Sequence, residues 1–176
     1  TCGWMMWNWL VGSLFCKSSI VLYEGSPFYP NPENLWKIAE RSKVSIFGTS
    51  AKYIDALSKS NVVPKKHFTL SNVRTICSTG SPLSPDSYDY ILNNIKPDVQ
   101  IASISGGTDL LSCFVLSNPL EPVVKGEIQC RALAMNVDIL NEQGDSLVSK
   151  EGELVCKTPF PSMPIKFWRD QNDTKY

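Results

Sequence analysis

The residues of this chain best equipped for chemistry close the stretch Val99-Gln-Ile-Ala-Ser-Ile-Ser-Gly-Gly-Thr-Asp109. Thr108 offers a hydroxyl and Asp109 a carboxylate, hard oxygen groups suited to a phosphate or a Mg²⁺ ion. Gly106 and Gly107, just before them, let backbone approach a ligand closely. A second segment, Ser78-Thr-Gly-Ser-Pro-Leu-Ser-Pro85, adds hydroxyls and another glycine. On spacing alone, the first segment equally describes a β-turn whose aspartate caps the next segment.

Both segments need a scaffold that places them side by side. The apolar run from Val99 reads as a buried strand emerging into a tight turn at Gly106-Gly107, and Asn72-Val-Arg-Thr-Ile-Cys77 reads as a strand opening into Ser78–Pro82. Ser19–Glu24 and Val44–Gly48 read as two further strands. Helical patterns lie between the strands. Asn31 before Pro32 marks a start, with Leu35, Ile38 and Ala39 on one face through about Lys43. Thr49 or Ser50 caps a helix over residues 51–60 with a Tyr53, Ile54, Leu57 stripe, and another helix is expected over residues 86–95. Gly3 to Phe15, rich in tryptophan and methionine, is expected to form a largely buried helix.

This alternation predicts an α/β fold of four parallel strands in βαβ units, the topology in which ligands sit beyond the carboxyl ends of the strands. After Asp109 the pattern changes to short strands at 112–116, 126–130, 136–140 and 152–157, punctuated by turn residues, and predicts a small antiparallel β subdomain. The expected organisation is an α/β part over residues 1–117, the antiparallel part over 118–158, and a connecting tail over 159–176. The opening at Thr1 and the polar end at Tyr176 read as a piece of a longer protein.

Composition narrows the function. Seventeen basic and seventeen acidic residues cancel, so there is no electrostatic footprint for nucleic acid. Six scattered cysteines, without a CxxC pair and with His67 as the sole histidine, argue against a zinc site. Cysteines in apolar runs, such as Cys77, read as small buried hydrophobes in a reducing compartment, the cytosol. The most apolar stretch is interrupted by Asn8 and too short to span a membrane. His67, beside Lys65 and Lys66, reads as a solvated loop residue. No nucleophile and base pair and no Walker loop is present, so acyl hydrolysis and P-loop phosphotransfer are not expected.

The order of Gly3-Trp4, Val21-Leu-Tyr-Glu-Gly25, Ser78–Pro85, Gly106-Gly-Thr-Asp109 and Gly152-Glu-Leu154 resembles the central part of the adenylate-forming acyl-CoA synthetases. Within them it is similar to the acetyl-CoA synthetase branch and its acetoacetate-activating members. The likeness runs through essentially the whole chain.

It implies a ligase with acetoacetate, ATP and coenzyme A as small-molecule substrates and Mg²⁺ as cofactor. The acid would react with ATP to an acyl-adenylate and pyrophosphate, and coenzyme A would then take the acyl group. Carried over by position, Gly80, Ser81 and Pro82 border the adenine, and Thr108 contacts phosphate. Asp109 replaces the usual glutamate that holds Mg²⁺, and Gly107 lies within the nucleotide segment. Ser105 falls among the nucleotide-binding residues, at the position where an aromatic usually stacks on adenine, and brings a hydroxyl in its place. Gly106 stands where a tryptophan closes the pocket of acetyl-CoA synthetases, which implies a pocket open to a longer acid. A tryptophan at 106 would then shift preference toward acetate. Trp4, Met5, Met6 and Thr79 fall on the other pocket walls.

The family's Ser/Thr/Gly-rich phosphate loop, its ribose-binding aspartate motif and its catalytic lysine are not among these residues. The 176-residue chain by itself is therefore expected to be inactive. The other readings are a ligase for another short or medium acid, or a truncated binding module.

Overall fold

The structure, a computed structural model, describes residues 5–176. Its centre is a parallel sheet in the order β1-β2-β3, with β1 Ile46–Ser50, β2 Thr75–Thr79 and β3 Gln100–Ser103. Because the spatial order repeats the sequence order, the two crossovers carry their helices onto the sheet in succession. These helices are α3 (Ala51–Lys59), capped by Ser50 whose hydroxyl accepts from the Tyr53 amide at 3.2 Å, and α4 (Pro85–Tyr90), capped by Ser84. Helix α4 runs on into a wider turn over Ile91–Ile95, closed by the Lys96 amide donating to Ile91 O five residues back.

The expected Tyr53, Ile54 and Leu57 stripe is buried, and with Ile76, Tyr88, Ile91, Ile95 and Ile101 it forms the main core. Helix α2 (Asn34–Arg41) adds Trp36, which is wholly buried and stacks on Phe47 with ring centroids 4.4 Å apart. Its start falls three residues after Asn31. The Asn31 side chain accepts from the Glu33 amide and forms a turn ahead of the helix, and the Pro32 ring needs no amide partner there.

Several expectations are corrected. Ser19–Glu24 forms no strand, and Val21, Leu22 and Tyr23 are exposed. β-propensity measures fit to a pleated, half-covered surface, and no described strand lies alongside this stretch. The parallel sheet therefore has three strands and not four. The N-terminal helix forms as α1 (Met5–Ser13), followed by a tight turn at Leu14–Cys16, but it is not largely buried: Trp7, Trp9, Val11, Leu14 and Phe15 are exposed. A mostly apolar helix is buried only where other elements cover it, and the contact described for α1 is with the sheet, where Met6 and Trp9 lie against Gly48.

The stretch after Val99 is not one strand either. The chain breaks at Ile104, and β4 (Ser105–Gly107) enters a separate antiparallel sheet in the order β4-β5-β6, with β5 Ser112–Leu116 and β6 Cys130–Arg131. This sheet has β4 and β5 before residue 117 and β6 after it. Of the strand expected over 126–130 only its end pairs, because the Gln129 side chain closes the preceding loop by donating to the carbonyls of Asn118, Glu121 and Pro122. A second core of Leu110, Ala132, Met135 and Val137 lies under this region. The tail has no helix or strand, but Phe160 packs edge-on against Phe114 and Ser162 donates to Leu110 O.

A hairpin of β7 (Val137–Leu140) and β8 (Glu153–Cys156) completes the described chain. Asp138 accepts there from Lys157 at 2.7 Å and from the Ser146 hydroxyl, and these donors hold its carboxyl at about 2, below the ordinary 3.8. A depressed acid contributes stability above its unfolded value and loses it as pH falls through the folded one. Acid titration should therefore loosen this hairpin between about pH 4 and pH 2. The Asp138→Asn variant should lose that pH dependence, read as amide exchange of the β7 and β8 residues across the same range.

Candidate functional site

The two segments singled out for chemistry come together at the carboxyl end of the parallel sheet. Ser78 pairs with Ser103 across β2 and β3, and the Ile104 amide donates to Ser78 O at 2.9 Å. The two chain exits are thereby held side by side. From β2, Thr79 is buried, Gly80 is exposed with φ +86°, Ser81 is half-buried and Pro82 is exposed. The positive φ at Gly80 is the left-handed turn that only glycine takes without strain.

From β3 the geometry differs from the sequence expectation. Ser105, Gly106 and Gly107 are strand residues of β4, and the turn falls one step later, over residues 108–111, where the Leu111 amide donates to Thr108 O. Thr108 and Asp109 sit on this hairpin turn, both exposed. Their side chains carry no hydrogen bond to other described residues. Among the described residues no three His, Cys, Asp or Glu groups cluster as a metal cage. A cation at Asp109 would take its remaining oxygens from a ligand, the usual pattern for Mg²⁺ bound by one carboxylate and phosphates.

Gly106 has a local structural requirement of its own. Ser105 pairs with Val115 and Gly106 with Cys113, so Phe114 is an extra residue that bulges β5. A Cβ built on Gly106 would lie 2.3 Å from Ser112 O and 2.7 Å from Cys113 Cα, whereas one on Gly107 would meet only Leu110 Cδ2 at 3.8 Å. The glycine at 106 is what lets the two strands approach.

Met6 and Thr79 belong to one side of the sheet. Met6 Cε lies against Gly48, Gly48 pairs with Cys77, and Cys77 and Thr79 share a face of β2 as alternate residues. Trp4 lies outside the described residues, and so does the side chain of Met5. His67 follows the short turn Pro64–Lys66 on another stretch of the chain. It is exposed and its Nδ1 lies 2.8 Å from the Glu33 carboxylate, beside a surface cleft of about 370 Å³ that also includes Asn31 and Val62. None of the residues singled out for chemistry lines that cleft.

Sequence reasoning named Thr49 as one of two candidates for a helix cap and Ser78 among the hydroxyls of its segment, but not the row of hydroxyls that forms just beneath the site. Thr49, Ser78 and Ser103 are in register across the three strands, and the Ser78 Oγ is fully buried without a hydrogen-bond partner. The alternation Ile76-x-Ser78 and Ile101-x-Ser103 was the available signal. Cys113, brought against Gly106 by the bulge, was also missed, because pairing across a hairpin is invisible in a single strand's pattern.

Comparison with known proteins gives likenesses of sequence and of fold. The sequence model of the family described as AMP-binding enzyme matches residues 2–163. The chain is 52% identical over all 176 residues to the acetoacetyl-coenzyme A synthetase of Rhizobium meliloti (strain 1021), covering 27% of that protein, and 48% identical to the acetoacetyl-CoA synthetase of Gallus gallus, covering 26%. A solved acetoacetyl-CoA synthetase from Streptomyces lividans superposes with a TM-score of 0.92 at 44% identity, over 99% of this chain and 27% of that one. An anthranilate CoA ligase solved with anthranoyl-AMP superposes at 0.74 with 16% identity over 90% of this chain and 29% of that one, a likeness of fold. The chain thus spans about a quarter of the length of these relatives, and no described helix is long and apolar enough to cross a membrane. A three-stranded parallel sheet with two exits locked together at its carboxyl edge, and a family match over residues 2–163, lead to one statement: this chain belongs to the AMP-binding enzyme family.

Proposed function

We propose that this chain is part of an ATP-dependent acetoacetate–CoA ligase of the cytosol. The observation that carries the reading is the adjacency of Thr79–Pro82 and Ser105–Asp109 at one sheet edge, in a chain 52% identical along its whole length to an acetoacetyl-coenzyme A synthetase. In this reading the backbone of Gly80, Ser81 and Pro82 borders the adenine, and Ser105 leaves one side of that base without an aromatic. The exposed Thr108 hydroxyl donates to a phosphate oxygen. Asp109 supplies a carboxylate oxygen to Mg²⁺, which when bound neutralises charge developing on the phosphates.

The acid carboxylate attacks the α-phosphorus of ATP, pyrophosphate departs, and an acyl-adenylate forms. The coenzyme A thiol then attacks the acyl carbon and AMP leaves. In this reading Met6 supplies apolar surface for the acid, and the Thr79 hydroxyl donates to a keto oxygen. The remaining three quarters of the relatives' length hold the other electrostatic contacts, so the 176-residue chain by itself is inactive in this reading.

ATP–pyrophosphate exchange by the full-length protein, with acetoacetate, acetate, butyrate and octanoate in parallel, tests this. Acetoacetate should drive the fastest exchange, and Asp109→Ala should slow it about 100-fold, the scale of one lost electrostatic contact to the transition state. Exchange with none of the acids would overturn the ligase reading; exchange that prefers another acid would keep the adenylation chemistry and overturn the acetoacetate assignment.

A further inference from the structure

The proposed reaction needs the adenine and the phosphates of one nucleotide held at a fixed spacing, and the two segments that would hold them belong to different sheets. Gly80–Pro82 follows β2 of the parallel sheet, whereas Thr108 and Asp109 sit on the turn between β4 and β5. One tie between the two is the Ile104 amide on Ser78 O. A second tie runs through the loop over residues 117–129, which leaves β5 and returns to the same sheet at β6, where Leu116 pairs with Cys130.

Gln129 closes this loop on itself. Its Nε2 donates to the carbonyls of Asn118, Glu121 and Pro122 at 3.2, 2.9 and 3.1 Å, and its Oε1 accepts from the Asn118 amide at 3.2 Å. The closed loop then lies against α4, the helix that begins just after Pro82. Gly126, at φ +81°, would place a Cβ 3.3 Å from Pro85 Cγ, so the loop backbone lies close on the ring that opens the helix. Asp89 pairs with Lys125, but both side chains are about half exposed and such a pair contributes little. The stronger link is Tyr88. Its ring is buried in the main core at 1% exposure, and its hydroxyl donates to Glu127 O at 3.1 Å.

We infer that Tyr88 is a positioning residue for the nucleotide: through Glu127 and the Gln129-closed loop it fixes the spacing between Gly80–Pro82 and Thr108–Asp109. The inference rests on the ligase reading above. Tyr88 acts through α4 and does not touch the nucleotide. Losing its hydroxyl frees the start of α4 to shift relative to the β4–β5–β6 sheet, and only a ligand that bridges both segments feels the shift. The acid does not bridge them. Tyr88 packs with Ile76 on one face of β2, whereas Thr79 belongs to the other face by strand alternation.

The test uses ATP–pyrophosphate exchange by the full-length protein, with the KM values for ATP and acetoacetate measured separately, alongside thermal unfolding. Tyr88→Phe removes only the hydroxyl and should raise the KM for ATP about 3- to 10-fold, the scale of one net hydrogen bond, with the KM for acetoacetate unchanged. Gln129→Met, which keeps the side chain's length and removes its donors, should do the same. The double variant should fall short of the product of the two effects, because both act through one loop. Tyr90→Phe is the control: it takes from the same helix a hydroxyl that donates to Val62 O at 2.6 Å, away from the loop. It should lower the unfolding temperature and leave the KM for ATP where it was. A Tyr88→Phe enzyme whose KM for ATP rises no more than that of Tyr90→Phe would overturn the positioning role and leave the ligase reading standing. So would equal rises in both KM values, or a fall in kcat alone. Absence of exchange with any acid in the wild type would overturn the ligase reading and this inference with it.

Discussion

Gly106→Ala should destabilise the fold by about 2–3 kcal/mol, the cost of forcing atoms into a packed site with no flexible side chain to yield. The added methyl group would fall 2.3 Å from Ser112 O and 2.7 Å from Cys113 Cα, and both are backbone atoms of β5. Relief requires the β4–β5 pairing to open or slip, and a slip by one residue turns every side chain of the strand to the other face. Gly107→Ala is the internal control. Its methyl would meet Leu110 Cδ2 at 3.8 Å, an ordinary contact, and it should cost well under half as much. Thermal unfolding of the full-length protein with each variant reads the difference. A tryptophan at 106 carries the same backbone clash together with its bulk. Gly106→Trp should thus abolish exchange with every acid instead of redirecting the enzyme to acetate. A stable Gly106→Trp protein with a clean acetate preference would show that the hairpin rearranges at little cost.

Trp36→Ala should cost about 3–5 kcal/mol, the usual range for emptying a large aromatic site. Trp36 is wholly buried between α2 and the sheet, stacked on Phe47 at 4.4 Å and tilted against Tyr53 at 6.3 Å. Since whole domains are stable by only about 5–15 kcal/mol, this single change removes a large share. Trp36→Phe separates two contributions. The indole Nε1 is buried without a hydrogen-bond partner, and leaving such a group unpaired costs about 1–3 kcal/mol. The phenylalanine variant gives up some volume but also removes that unpaired group, so it should lose far less than the alanine variant. Urea unfolding followed by circular dichroism gives both values. Equal losses would mean that the indole nitrogen is satisfied in solution.

Both residues show where reading the chain succeeded and where it stopped. The Tyr53, Ile54 and Leu57 stripe, the Ser50 cap, β7 and the turn-rich antiparallel region were legible because each depends on neighbours within a few residues. The boundaries of β1 and β2 moved toward the carboxyl end, since pairing partners, not propensity, decide where a ladder starts. Ser19–Glu24 had the composition of a strand without a strand beside it, and α1 had the composition of a core helix with cover on one side only.

At the candidate site the sequence by itself determined which groups are present and in what order: the glycine of the left-handed turn at Gly80, the hydroxyl of Thr108, the carboxylate of Asp109, and a motif order that resembles one enzyme family from end to end. Tertiary structure decided how they are arranged. It broke the chain at Ile104, moved the turn from Gly106-Gly107 to residues 108–111, buried an unpaired Ser78 hydroxyl beneath the site, and set Cys113 against Gly106. The physical reason is range. Turns, caps and stripes follow from forces between near neighbours along the chain, whereas a strand bulge, a close backbone approach or an orphaned hydroxyl exists only once segments distant in sequence share the same few ångströms.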